Sequence, residues 1–450
     1  MNIASVEKMD IQPINQPSNN EYSYKAGNPI VSFEISTQNK LLKPSTLRVN
    51  GQIRFVSNDG TTLPNNGIVE SRGGGGAPAA NAISMNSRVA INSVIQNLVI
   101  ASNSNNQTLE SVRQYGRMCA TILGTTHSAE DFVSDLGISS LGTSMQRSTN
   151  NNINNEVDFS IRLYSGMING GENIPLGVNG VRGLNIVLEL ASDSMVMSGA
   201  NAGNGSYVLS NLTLTADLLV PDAEGQQQMA IAGNGAFQYN SFNSLYSVIN
   251  SSDATQTYNL AQNNVLSVFH NFLPTPNQNN YGVDSFETSA ILGGTAGNYD
   301  AQAVLNRVSF SRGGLRLALD YEIDVAAQSQ IGRPETGVLI NGINAVKHFS
   351  SVRHSLNQKQ LIGYGGRDNI IYQAGEPRQN ATVAADIGVR NFVVGVGLDN
   401  ISDVGMSFNG QSYATRIQTN LGGQNPNAVF TYVKAKNTLQ YSPQGIAIMS

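Results

Sequence analysis

Four histidines, one cysteine and a short run of carboxylates are the residues of this 450-residue chain best suited to chemistry. His127, His270, His348 and His354 are scattered, and the last two stand at i and i+6, which does not bring two imidazoles onto one helix face. None has the HxxxH or HExxH spacing that holds zinc on a helix, so solvated or capped histidines are expected and no metal. Cys119 is alone, which excludes an intramolecular disulfide and a cysteine-based metal cluster. Asp320, Glu322 and Asp324 alternate and so share one face of a strand. That pattern suits a calcium site completed by a loop carbonyl, or paired carboxylates for glycoside hydrolysis. A solvated strand face with Arg316 as counter-charge is the simpler reading and is preferred.

Glycine-rich stretches offer less. "GGTAG" at 293–297 and "GYGGRD" at 363–368 lack the preceding strand, following helix and lysine of a phosphate-binding loop, and read as turns. Glycosylation sequons occur at Asn106, Asn204, Asn211, Asn250, Asn380 and Asn400, as a chain with 54 asparagines produces by chance. No catalytic, cofactor-binding or metal-binding residue is assigned, and the chain is not expected to be an enzyme.

The scaffold is more legible than any site. Hydrophobic residues make up 40% of the chain and charged residues only 13%, with 45 glycines. Such a chain can bury sizeable cores, and its asparagine and glycine favour turns between short elements. Val31, Phe33 and Ile35 alternate, as do Val157, Phe159, Ile161 and Leu163; Leu184, Ile186, Leu188 and Leu190; Leu212, Leu214, Ala216 and Leu218; and Leu315, Leu317, Leu319, Tyr321 and Ile323. A period of 2 is that of a strand with one face in a core. Helices are few. The spacing predicts them over 108–123, with Thr108 as N-cap, over 344–357, and in two shorter stretches at 128–137 and 241–250. The first 25 residues, polar and containing Pro13 and Pro17, read as an extended arm rather than a folded element, and 57–90 as a long flexible loop.

The chain also repeats itself. Gly180-Val181-Arg182 returns as Gly388-Val389-Arg390 before another apolar run. Collinear with this pair, Leu47 in "TLRVNGQIRF" matches Leu315 in "GLRLALDYEI", and Ile100 matches Ile340 ahead of a helical pattern. The second copy looks like the first with two loops trimmed, which makes a duplicated domain the natural reading. The expected division is an arm at 1–25, a first sandwich at 26–225, a closing strand with a connecting segment at 226–299, and a second sandwich at 300–450. The fold class expected is all-β: two tandem jelly rolls, antiparallel sandwiches with a few short inserted helices.

At this point the chain resembles a family. The polar arm, a jelly roll with a helix inserted after a strand, the stretch "FSIRLYSGMINGGENIPLGVNGVRGLNIVLEL" around Ile174-Pro175-Leu176, and the shorter second copy are similar to the double jelly-roll major capsid proteins of double-stranded DNA viruses. The resemblance implies a homotrimer of two-domain subunits, a pseudo-hexameric capsomer, in an icosahedral shell alongside neighbouring capsomers and penton or minor shell proteins. It also implies residence in the virion after synthesis in the host cytoplasm, with an inner membrane in the virion as one possible neighbour. Charge points the same way: net charge is −5 and the first 40 residues carry only Lys8, Lys25 and Lys40, too few cations for strong direct nucleic-acid binding. The N-terminus lacks the basic and apolar regions of a signal peptide. The competing function is a phage tail or surface adhesin that binds a receptor or glycan; a secreted β-sandwich glycosidase ranks third.

Overall fold

Alternating runs become strands. The computed structural model describes residues 2–36, 39–57, 84–85, 89–103, 106–126, 156–170, 173–177, 181–198, 205–231, 235–280, 285–286, 305–317, 321–322, 351–352, 354–356, 393–399, 404–419, 427–442 and 445–449. Its first-half strands are β1 (Ile3–Ile11), β2 (Ile30–Ile35), β3 (Leu41–Ser57), β4 (Ile95–Ser102), β5 (Thr108–Arg113), β6 (Val157–Arg162), β7 (Leu184–Leu190) and β8 (Gly205–Pro221), with helix α1 (Tyr115–Thr126) after β5. The second half has β9 (Gly235–Ile249), β10 (Asp253–Tyr258), β11 (Val265–Pro274), β12 (Leu305–Arg312), β13 (Val394–Gly397), β14 (Tyr413–Thr419), β15 (Asn427–Ser442) and β16 (Gly445–Met449).

One sheet runs β1-β8-β3-β6, and a second begins β2-β7-β4-β5. Their inward residues, Phe33, Leu98, Ile100, Ile186 and Leu188 from one sheet and Val49, Ile53, Phe159, Ile161 and Leu214 from the other, belong to one apolar cluster. In the second half β13-β11-β15-β9 form a sheet and β10-β14-β12 another, and His270 of β11 stacks on Phe310 of β12 and Tyr413 of β14 between them. The two halves share a sheet. A single parallel bridge, Asn243 of β9 opposite Ser111 of β5, joins them into one nine-stranded sheet, whereas the other described ladders in these sheets are antiparallel.

Four expectations are corrected here. Residues 108–113 are strand, not the start of a helix: pairing with β4, Leu98 opposite Val112 and Ile100 opposite Glu110, overrides a spacing that fits a helix. The helix begins only at Tyr115, after Gln114 turns the chain at φ 55°. Residues 241–250 lie in β9, whose whole length from Gly235 to Ile249 is laddered to β15. The N-terminal arm contains a folded element, because β1 pairs with Leu214–Pro221 along the edge of β8 and buries Met9. Finally, β11 is not the closing strand of the first sandwich. It lies between β13 and β15, and nine of its ten residues are buried because both faces are covered, which explains why its apolar residues do not alternate with exposed ones.

Candidate functional site

The joint between the sandwiches concentrates the buried polar chemistry. β5 and β9 touch at one bridge and diverge on either side, so their backbone groups need partners other than a ladder. Side chains supply them. Glu110, 2% exposed, accepts the N–H groups of Phe242 (2.7 Å), Gly166 (2.8 Å) and Met167 (3.0 Å), and a hydrogen bond from Ser165. Beyond the bridge Ser244 Oγ accepts the Arg113 N–H at 3.1 Å, and Tyr239 donates its hydroxyl to the Leu109 carbonyl at 3.1 Å. Burial pushes the Glu110 carboxyl above its ordinary value, and the four hydrogen bonds pull it back. Gly166 is required by space: a Cβ there would stand 2.6 Å from the backbone of Asn240 and Ser241.

Helix α1 crosses from the first sandwich onto the outer face of the second. Tyr115, Met118, Cys119 and Leu123 are buried along it, and burial pushes the Cys119 thiol up, leaving it protonated and inert. Tyr432 of β15 donates to the Gln114 carbonyl at 2.9 Å, and Asn271 of β11 donates to Thr121 at 2.8 Å. Arg117, 1% exposed, lays its guanidinium over the Phe430 ring at 4.4 Å. These contacts set the orientation of one sandwich against the other.

A second polar cluster lies inside the second sandwich. His270 bonds Thr431 through Nδ1 at 2.8 Å, and both Tyr413 and Thr415 through Nε2 at 3.0 Å. Desolvation lowers its pKa to about 3, so the imidazole is neutral at physiological pH.

The other candidates are dispersed. His354 pairs with Asp399 at 2.6 Å, far in sequence from His270, while His127 and His348 lie outside the described residues. So do Asp320 and Asp324; Glu322 falls in the short strand Tyr321–Glu322, opposite Arg307. Both glycine-rich stretches lie outside as well, and of the sequons Asn106, Asn211 and Asn250 are described and exposed. Arg182 occupies a turn at φ 46° just before β7, and Arg390, its repeat partner, is outside the described residues. Sequence reasoning missed Glu110, Arg117 and Asn271. Their only signal was a charged or amide residue inside an otherwise apolar run.

Neither a scan against protein-family models nor a search of curated proteins finds a match. Solved structures do match over nearly the whole chain. A chain of the PBCV-1 virus capsid aligns with a TM-score of 0.58 at 13% identity, covering 100% of this chain and 98% of that one. The Faustovirus major capsid protein aligns at 0.56 and 10% identity, covering 98% and 91%, and the Sputnik virophage at 0.52 and 10%, covering 99% and 88%. At such identities the likeness establishes the fold: the chain is all-β and has the two-sandwich, double jelly-roll architecture.

Proposed function

We propose that this chain is a structural viral capsid protein that self-assembles, as pseudo-hexameric homotrimers, into an icosahedral shell. The observation that carries this reading is full-length likeness to capsid chains across both sandwiches and the joint between them. The role is mechanical rather than enzymatic. Apolar strands hold each sandwich, the buried joint fixes their mutual angle, and polar loops and the N-terminal segment meet neighbouring capsomers and penton or minor shell proteins. The chain then resides in the virion after synthesis in the host cytoplasm. Its sparse cations leave genome condensation to other components, with an inner membrane as one neighbour of the shell.

The division proposed is an arm at 1–25, jelly rolls at 26–225 and 300–450, and a segment at 226–299 between them whose strands β9, β10 and β11 complete the second roll. Electron microscopy of the expressed protein tests the whole reading. Hexagonal trimers or closed shells are expected; monomers, or fibres of the kind an adhesin forms, overturn it.

A further inference from the structure

The joint is also open to solvent. Two cavities of about 500 and 480 Å³ share Gln96, Asn97, Gln114, Glu189 and Phe430, so they form one trough across the seam between the sandwiches. Each volume is in the range of small-molecule sites. An exposed tyrosine lines each part: Tyr24, 47% exposed, in the first cavity and Tyr246, 53% exposed, in the second. The Tyr246 hydroxyl accepts from Gln278, which lines the first. Between them the lining mixes amides and hydroxyls with apolar side chains such as Leu190, Leu273 and Phe430, and with one carboxylate, Glu189, which accepts from the Asn97 amide.

Two lining groups lack partners. Ser285 is 4% exposed and lines the first cavity, and neither its hydroxyl nor the buried Gln96 Oε1 makes a hydrogen bond within the protein. A buried polar atom left unpaired is costly, and at the wall of an open trough a ligand hydroxyl can satisfy it.

We propose that this trough binds a neutral oligosaccharide, with sugar rings against Tyr24 and Tyr246 and hydroxyls bonded to Gln96, Asn97, Glu189 and Ser285. Each part has a chemical reason. The apolar C–H face of a sugar ring packs on an aromatic face; a planar amide takes neighbouring hydroxyls as donor and acceptor together, and a carboxylate accepts from both. A glycan rather than a polyanion is selected because Glu189 is common to both cavities, and because the Arg117 charge is turned onto Phe430. The two arginines line one cavity each, Arg117 the first and Arg113 the second, whereas Glu189 faces both. The site belongs to a single subunit and goes beyond the shell-building role, so its test does not depend on assembly.

Saturation-transfer NMR and calorimetry on the full-length protein, with an array of neutral oligosaccharides that includes maltotriose, lactose and chitotriose, test the proposal. At least one neutral glycan binds, and Tyr246→Ala and Glu189→Gln each weaken it at least about tenfold. Tyr246→Ala also loses the ring's edge contact with Phe430, so its unfolding midpoint falls slightly, whereas the midpoint of Glu189→Gln separates lost binding from lost stability. Three results overturn the proposal: no neutral glycan binds, binding survives both substitutions, or sialylated and sulfated glycans or peptides are preferred over neutral glycans.

Discussion

β7 of the first sandwich turns Leu184, Ile186, Leu188 and Leu190 into an apolar core, whereas β11 of the second turns His270 inward, to Thr431, Tyr413 and Thr415. The two strands respond to acid differently. The aliphatic side chains of β7 have nothing to titrate. A neutral imidazole between two stacked rings must stay neutral for the second sandwich to remain packed. The joint is a third case, where a carboxyl held by backbone N–H groups lies in the path between the two cores.

The largest effect is expected at that joint. Glu110→Leu strands three buried N–H donors and should cost about 5 kcal/mol, and denaturant unfolding followed by fluorescence should split into separate transitions for the two halves. A single unshifted transition would show that the sandwiches are coupled by something else. Next comes the pH response. Unfolded His270 takes up a proton near 6.5 but the folded group only near 3, so stability is lost as pH falls through that window. The loss is on the order of 4 kcal/mol. Unfolding midpoints measured from pH 7 to pH 3 should fall in the native protein and less steeply in His270→Gln. Glu110 carries the opposite sign: its carboxyl is raised above 4.5 in the fold, so its contribution is full below 4.5 and is lost as pH rises through the folded value. Glu110→Gln should remove that slope and leave the His270 slope intact.

A smaller change tests the contact between α1 and the second sandwich. Tyr432→Phe removes the hydroxyl that bonds Gln114 and should cost about 1 kcal/mol, read as a lower midpoint for the joint and second half alone. Smallest of all is Asp253→Asn on the surface of β10. Its ion pair with Arg416 is fully solvated, so no measurable shift in midpoint is expected.

The same contrast decides what was legible. In β7, and in β8 from Asn211 to Leu218, each residue type announces its face, and the observed burial alternates as the sequence does, because a half-buried strand imposes a period of 2. β5 was misread for the converse reason: Leu109, Glu110 and Val112 are all buried, since the strand has protein on both sides, and the period disappears. β9 went astray likewise, its aromatic and aliphatic residues fitting a helix until the ladder to β15 fixed it as strand. β11, read from the sequence as a strand closing the first sandwich, belongs to the second, because a strand buried on both faces carries no pattern that names its partner.

By itself the sequence determined an all-β, sparsely charged chain, since composition and two-residue periodicity are local properties of the polymer. It also indicated where most strands of the first sandwich lie. Only the tertiary structure decided that the two sandwiches share one sheet through a single bridge, that α1 spans the joint, and that Glu110, Arg117, Asn271 and His270 are buried with partners. Those partners come from segments remote in the chain, and a buried polar residue reads in sequence like an exposed one until its neighbours are known.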